Sequence, residues 1–310
     1  MTDSCIMAFV FPGQGSQFAG MGRDLYAEFE PAREVFKETD AALGFPLSHL
    51  CFEGPEEELT QTVNVQPAIV TMSLAILAVI RQYKNTVMPL FVAGHSLGEY
   101  TALSAADILG IPETVILARK RGELMHRAGL KKPGAMTAIL GLSDIVVSEI
   151  CSQAGVYIAN YNCPGQLVIS GESHKINHAM ELASSRGAIK VVALRVTGAF
   201  HTVEMQPAAD ELETVLQGIS FNKPSVPLIA NTDGVSLVTA DQVKTELVKQ
   251  MCHAIQWQKS IEYMLCNSVD TFVEIGPGRV LSGLIKRIAR EARVINIADV
   301  SGLKDFLNKE

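Results

Sequence analysis

Short apolar runs that close on glycine or proline alternate along this chain with longer stretches in which apolar residues recur every three to four positions. MAFVF (7–11) runs into Pro12 and Gly13, LFVAG (90–94) into a glycine-bounded corner, VPLIANTDG (226–234) into a turn, and TFVEIGPG (271–278) into another. Uninterrupted apolar runs of this length suit strands covered on both faces, and the segments after them, such as LSGLIKRIAREA (281–292), carry helical spacing. The alternation predicts a mainly parallel sheet with helices on both faces. Functional side chains in such sheets collect at the carboxyl ends of the strands.

From about Pro133 to Val196 the rhythm changes. AMTAIL reads as a strand, DIVVSEICSQA as a helix, VYIANYN and GQLVISG as two strands, HKINHAMELASSRG as a helix and IKVVALRV as a strand. That β-α-β-β-α-β order is the ferredoxin-like one. It predicts a small unit inserted in a larger one, with a cleft between them where a substrate could sit.

Composition narrows the field. With 310 residues, 48% of them hydrophobic, the chain can bury a large core. A formal net charge of -7 offers no general attraction to nucleic acid or to an anionic membrane. The six cysteines are scattered without a C-x-x-C pair, which points to reduced thiols in a cytoplasmic setting and to neither a metal site nor a disulfide framework. The N-terminus, with Asp3 early, lacks the basic start of a secretory leader. The apolar stretch from Pro67 to Ile80 is closed by Arg81 and reads as a buried helix, not a membrane span.

The chemistry concentrates in VAGHSLGEYTALSAA (92–106). Gly94-His95-Ser96-Leu97-Gly98 is the G-x-S-x-G spacing of a strand-to-helix elbow, which lifts a serine hydroxyl clear of the sheet. A helix-capping serine would share the spacing; the apolar strand before it and the helix former after it favour a nucleophile. Such a serine needs a base. His201, in RVTGAFHTVEM, follows an apolar strand and a Gly-Ala-Phe turn and is the best placed of seven histidines. The turn FPGQGSQF cannot be a dinucleotide fingerprint, since Phe18 stands where a glycine is needed. It could instead set the backbone N–H of Gln14 opposite that of Leu97 as an oxyanion hole, or be a turn only. In ILARKRGELMHRAG, Arg119, Lys120 and Arg121 occupy successive helical positions, so the three cannot all face solvent alike. One of the arginines could turn inward to pair a carboxylate.

Seven motifs in order, FPGQGSQ, GHSLGEY, RGELM, NYNCPGQLVISG, GAFHT, IQWQKSIEYM and EIGPGRVLSGLIKRI, resemble those of the malonyl-CoA:acyl carrier protein transacylases. The resemblance implies an α/β fold with an α/β-hydrolase-like catalytic domain (1–128 and 199–310) and a ferredoxin-like inserted subdomain (129–198). It implies that Ser96 attacks malonyl-CoA with His201 as base, Gln14 and Leu97 as oxyanion hole and Arg121 on the malonyl carboxylate. By the same resemblance the backbone carbonyl of Gln256 would orient His201. Phe200 would exclude a branched acyl group, and Asn162 and Gln166 would line the cleft. Malonyl-CoA would be substrate, with no bound cofactor and no metal. The partner would be an acidic holo acyl carrier protein, docking on Arg127, Lys131 and Lys132 or on Lys286, Arg287, Arg290 and Arg293. A monomer is expected. A polyketide acyltransferase, an acyl hydrolase and a catalytically silent carrier-binding scaffold are the other readings.

Overall fold

The computed structural model describes residues 5–196 and 198–308, so Asp3, read above against a secretory leader, lies outside the described residues, as do the extreme termini of the predicted outer domain and Thr197 near the limit of the insert. In chain order, β1 (Met7–Phe11) leads through α1 (Arg23–Glu28), α2 (Glu30–Leu43), α3 (Leu47–Glu53) and α4 (Glu56–Leu59) to the long α5 (Thr62–Tyr83). Then come β2 (Phe91–Gly94), α6 (Gly98–Ala105) and α7 (Ile111–Lys131). The next six elements are β3 (Gly134–Leu140), α8 (Asp144–Ala154), β4 (Tyr157–Cys163), β5 (Gln166–Glu172), α9 (Ser173–Ser185) and β6 (Lys190–Ala193). The rest are α10 (Gln206–Gln217), β7 (Leu228–Ile229), β8 (Ser236–Leu237), α11 (Ala240–Cys252), α12 (Trp257–Cys266), β9 (Thr271–Ile275), α13 (Val280–Ile288), β10 (Arg293–Ile297) and α14 (Val300–Leu307).

The larger sheet has the order β10-β9-β1-β2-β7-β8, parallel except for β8, which returns antiparallel on β7. Its central strands are buried along almost their whole length, as unbroken apolar runs require. Two details depart from the periodicity. VPLIANTDG gives only a two-residue strand, because the backbone of Ala230 turns back to bond Val235 and starts the hairpin to β8. RVINI (293–297) forms an edge strand, β10, whose burial is so partial that no alternating or continuous pattern marks it. Helix α5 is long and apolar enough to cross a membrane, but nearly all of it is buried in the main core between sheet and neighbouring helices.

The smaller sheet is antiparallel with order β4-β5-β3-β6, and α8 and α9 pack on it around a separate apolar cluster. This is the ferredoxin-like arrangement. Its outer strand β4 is stitched to the large unit just before α12. Tyr161 N–H donates to the Ile255 carbonyl at 2.8 Å and Ile255 N–H to the Ala159 carbonyl at 2.8 Å. Residues 159–161 therefore run alongside Ile255, and the side chains of Asn160 and Asn162 reach the His95 ring just past the end of β2.

Candidate active site

The corner after β2 is as tight as its glycines imply. A Cβ on Gly94 would lie 1.8 Å from the Gly98 carbonyl carbon, and one on Gly98 would lie 2.0 Å from the Phe11 carbonyl oxygen. Strand, helix and the end of β1 are in direct backbone contact, which only glycine permits. Between the two glycines Ser96 takes φ 51°, a left-handed conformation that side chains adopt at a cost. Asn231 anchors the strained turn: its Oδ1 accepts the Ser96 N–H at 2.7 Å and its Nδ2 donates to the Gly94 carbonyl at 2.7 Å. No side chain among the described residues caps α6: the N–H groups of Gly98, Glu99 and Tyr100 turn back onto the carbonyls of His95, Ser96 and Leu97 at 3.0, 3.2 and 2.9 Å, and the Leu97 N–H has no partner among the described residues.

Ser96 Oγ and His201 Nε2 are 2.7 Å apart. His201 Nδ1 lies 2.8 Å from the Gln250 carbonyl oxygen. A carbonyl only accepts, so Nδ1 carries the proton and the lone pair of Nε2 faces the serine hydroxyl. Burial, and then the charge of Arg121, pull the His201 pKa down to about 3. The ring is therefore a neutral imidazole, fit to take a proton and strongly inclined to give it back. The orienting carbonyl corrects one expectation. Gln256, assigned that task by resemblance, begins α12, and its carbonyl accepts the Ser260 N–H at 3.0 Å. Gln250 lies in the last turn of α11, where carbonyls have no partner four residues on.

Arg121 is 1% exposed. Its Nη2 donates to Ser96 Oγ at 3.1 Å and to Gln250 Oε1 at 2.8 Å, and its Nη1 to Gln66 Oε1 at 2.9 Å. The guanidinium lies over the Tyr100 ring at 5.2 Å, and its Nε has no partner among the described residues. Every group it bonds is uncharged. Burial lowers its pKa, opposed by Tyr100 and Glu99 nearby, but an arginine keeps its proton in a protein. The two cations before it go elsewhere: Arg119 covers Phe45 and pairs with Glu123, and Lys120 pairs with Glu123. Gly122 explains how α7 comes so near, since a Cβ there would be 2.7 Å from the Thr62 carbonyl oxygen of α5.

The remaining predicted residues scatter around this centre. Gln14 lies on the turn after β1, where a Cβ on Gly13 would be 2.5 Å from the His95 carbonyl oxygen, and Leu97 immediately precedes α6. Asn162 Oδ1 sits 2.8 Å from His95 Nε2, so β4 touches the elbow, while the His95 ring meets Trp257 edge-on. Gln166, at the start of β5, accepts from Arg287 at 2.6 Å. Phe200 is buried beside Gly198 in the main core. Of the basic residues, Arg127 pairs with Glu211 and Lys132 with Glu204.

Four residues of the site escaped the sequence reading: Gln66, Glu99, Asn231 and Gln250. A usable signal existed for two. Gln250 falls on the stripe of α11 marked by Val243, Leu247 and Met251, and Glu99 is a charge inside an otherwise apolar short helix. Burial and then the neighbouring Glu246 raise the Glu99 pKa, and the donors of Asn231 and Gln250, which hold both of its oxygens as acceptors, oppose that rise.

A neutral base on a strained serine, an open backbone N–H at the helix start beside it and a guanidinium at the hydroxyl are groups that acyl transfer uses. The chain belongs to the acyl transferase domain family, whose model matches residues 8–305. Among its relatives, the malonyl CoA-acyl carrier protein transacylase of Bacillus subtilis (strain 168) is 42% identical over 298 residues, 94% of this chain and 93% of that one. That of Escherichia coli (strain K12) is 41% identical over 285 residues, 91% and 92% of the two chains. The solved malonyl CoA-acyl carrier protein transacylase of Coxiella burnetii superposes with a TM-score of 0.95 at 37% identity, covering 98% of this chain and 97% of its own. A malonyl-transacylase in complex with its type II PKS acyl-carrier protein gives the same TM-score and identity, covering 98% and 100%.

Proposed function

We propose that this acyltransferase moves a malonyl group from malonyl-CoA to the phosphopantetheine thiol of an acyl carrier protein. The observation that carries the reading is Arg121: a buried guanidinium among neutral partners, one of them the serine hydroxyl. An uncompensated charge of this kind is costly, and a substrate carboxylate offsets it in two parallel hydrogen bonds. Neutral acyl groups leave it unpaired, so they bind less well.

The chemistry follows from the distances. Ser96 Oγ attacks the thioester carbonyl carbon as its proton passes to His201 Nε2. The negative charge on the carbonyl oxygen is met by the N–H groups of Leu97 and Gln14. Collapse breaks the carbon–sulfur bond, and the proton on His201 goes to the leaving CoA sulfur. In the second half His201 takes the proton of the carrier thiol, the sulfur attacks the malonyl ester, and Ser96 recovers its proton. His201 needs no carboxylate behind it, because the Gln250 carbonyl fixes its tautomer. Phe200 narrows the pocket beside His201, and Asn162 and Gln166 line the approach. The enzyme acts as a monomer in the cytoplasm, with no bound cofactor, and supplies fatty acid synthesis.

Intact-protein mass spectrometry after brief incubation with malonyl-CoA tests this. The expected result is a malonyl adduct that passes to added holo carrier protein. It is absent in Ser96→Ala and loses its advantage over acetyl in Arg121→Ala. An adduct lost to water before carrier is added would make the protein a hydrolase instead. Supplying carriers of fatty-acid and polyketide type in parallel separates the two pathways.

A further inference from the structure

Glu99 is fully buried three residues after the serine, and the proposed mechanism gives it no task. Both of its oxygens are committed. Oε1 accepts the backbone N–H of Asn231 at 3.1 Å, and Oε2 accepts from Gln250 Nε2. The Gln250 amide is in turn held on three sides. Its Nε2 also donates to the Ser96 carbonyl at 2.9 Å, and its Oε1 accepts from Arg121 Nη2. Reversing that amide would set an NH2 group against the guanidinium and an oxygen against the Ser96 carbonyl. The amide has one productive orientation, and Glu99 is the acceptor that favours it.

We propose that Glu99 is a positioning residue that selects for carboxylated acyl groups: as a two-sided acceptor it locks the Gln250 amide, which aims Arg121 at the acyl pocket. The proposal rests on the reading of Arg121 given above. A glutamine at position 99 has the same shape but a single acceptor for two donors. Asn231 presents a main-chain N–H that cannot turn round, so the mismatch falls on Gln250. Its side chain then swings or reverses, and Arg121 loses the partner that holds it. Glu246, the other buried acid nearby, is bonded to the backbone and hydroxyl of Thr232 and does not reach this amide.

The test compares kcat/KM for loading of malonyl-CoA and of acetyl-CoA, read by intact mass, in wild type, Arg121→Ala, Glu99→Gln, Glu99→Asp, Gln250→Met and the Glu99→Gln/Gln250→Met double variant. Glu99→Gln is expected to lower the malonyl-to-acetyl ratio by about tenfold or more, the scale of one buried hydrogen bond left unmade. Glu99→Asp, which keeps two acceptors, recovers part of the ratio. The double variant matches Gln250→Met alone, because the two residues act in series. An equal fall with both substrates, additive effects in the double variant, or failure of both position-99 variants to fold would overturn the proposal and leave Glu99 a purely structural role. If wild type shows no malonyl preference, or Arg121→Ala does not abolish it, the reading of Arg121 has failed instead.

Discussion

Strands β2 and β9 flank β1 in one parallel sheet, and each runs through a glycine-rich turn into a helix, yet the two turns end in opposite states. After β9 the left-handed positions are glycines, Gly276 at φ 140° and Gly278 at φ 76°. The buried Glu274 carboxylate then takes the N–H groups of Leu281 at 3.0 Å and Ser282 at 2.9 Å, so α13 is closed by an acid of the chain itself. After β2 the left-handed position is Ser96, and α6 receives no such acid. A helix start with spare N–H groups attracts negative charge. The first turn has satisfied that attraction internally, and the second leaves the Leu97 N–H open where the proposed mechanism forms its oxyanion. The glycine motif after β9 is thus a support: a Cβ on Gly276 would meet Pro12 at 2.7 Å, so this turn backs the one that carries Gln14.

Removing the reactive end is the harshest way to break the comparison. Ser96→Ala should lower malonyl loading by at least about a thousandfold, while thermal unfolding moves little. A persisting adduct would mean that the open turn is not the reacting one. The helices after the two turns should then differ in their tolerance of a methyl group. Gly98→Ala drives a Cβ into the Phe11 carbonyl and should cost roughly 3 kcal/mol or more in urea unfolding. A Cβ on Gly283, in α13, meets nothing within 4 Å, so Gly283→Ala should be neutral or gain about 0.5–1 kcal/mol.

Acid should separate the turns next. His201 has a folded pKa of about 3, below its unfolded value near 6.5. The unfolded chain therefore binds the extra proton first. The contribution is complete above pH 6.5 and declines as pH falls toward 3, at about 1.4 kcal/mol per unit. Stability measured against pH should fall more steeply in wild type than in His201→Gln. The loading rate should show no step near pH 6.5, since the base stays neutral; such a step would indicate an ordinary solvated histidine. At the closed turn, Glu274→Gln replaces one acceptor by a donor facing helix N–H groups. It should cost about 2 kcal/mol and leave loading by the folded enzyme intact.

How much of this was legible depended on whether a residue's neighbours in sequence were also its partners. The central strands, the elbow and the β-α-β-β-α-β order are local patterns, and the elements stand where the periodicity put them, with β7 shortened to two residues. Ser96 is marked by the two glycines that its corner requires. Arg121 is one of three successive cations, and the helix leaves one of them buried. Gln250 stands on the apolar stripe of α11, which signals burial, but its hold on His201 lies in a backbone carbonyl freed by a helix end, which no residue type signals. Gln256 was taken in its place by resemblance, and its carbonyl belongs to the first turn of α12. Asn231 and Glu99 meet only when β7 is laid beside β2, a contact of long sequence separation. Strand β10 lacked a pattern because an edge strand is only half covered.

The finest difference between the turns is the left-handed residue itself, and a pair of variants isolates it. Ser96→Ala and Ser96→Gly both lose the hydroxyl, and with it the bonds to His201 and Arg121, so those losses cancel in the comparison. What remains is a Cβ at φ 51°, costly for alanine and free for glycine, against the greater freedom that glycine gives the unfolded chain. At a left-handed position held by backbone contacts on both sides, the strain outweighs that freedom. Ser96→Gly should accordingly be more stable than Ser96→Ala by about 1 kcal/mol in urea unfolding. Equal stability would mean that the corner relaxes once the hydroxyl is gone. In that case the contacts of Ser96 with His201 and Arg121, and not the flanking glycines, hold the turn in its reactive shape.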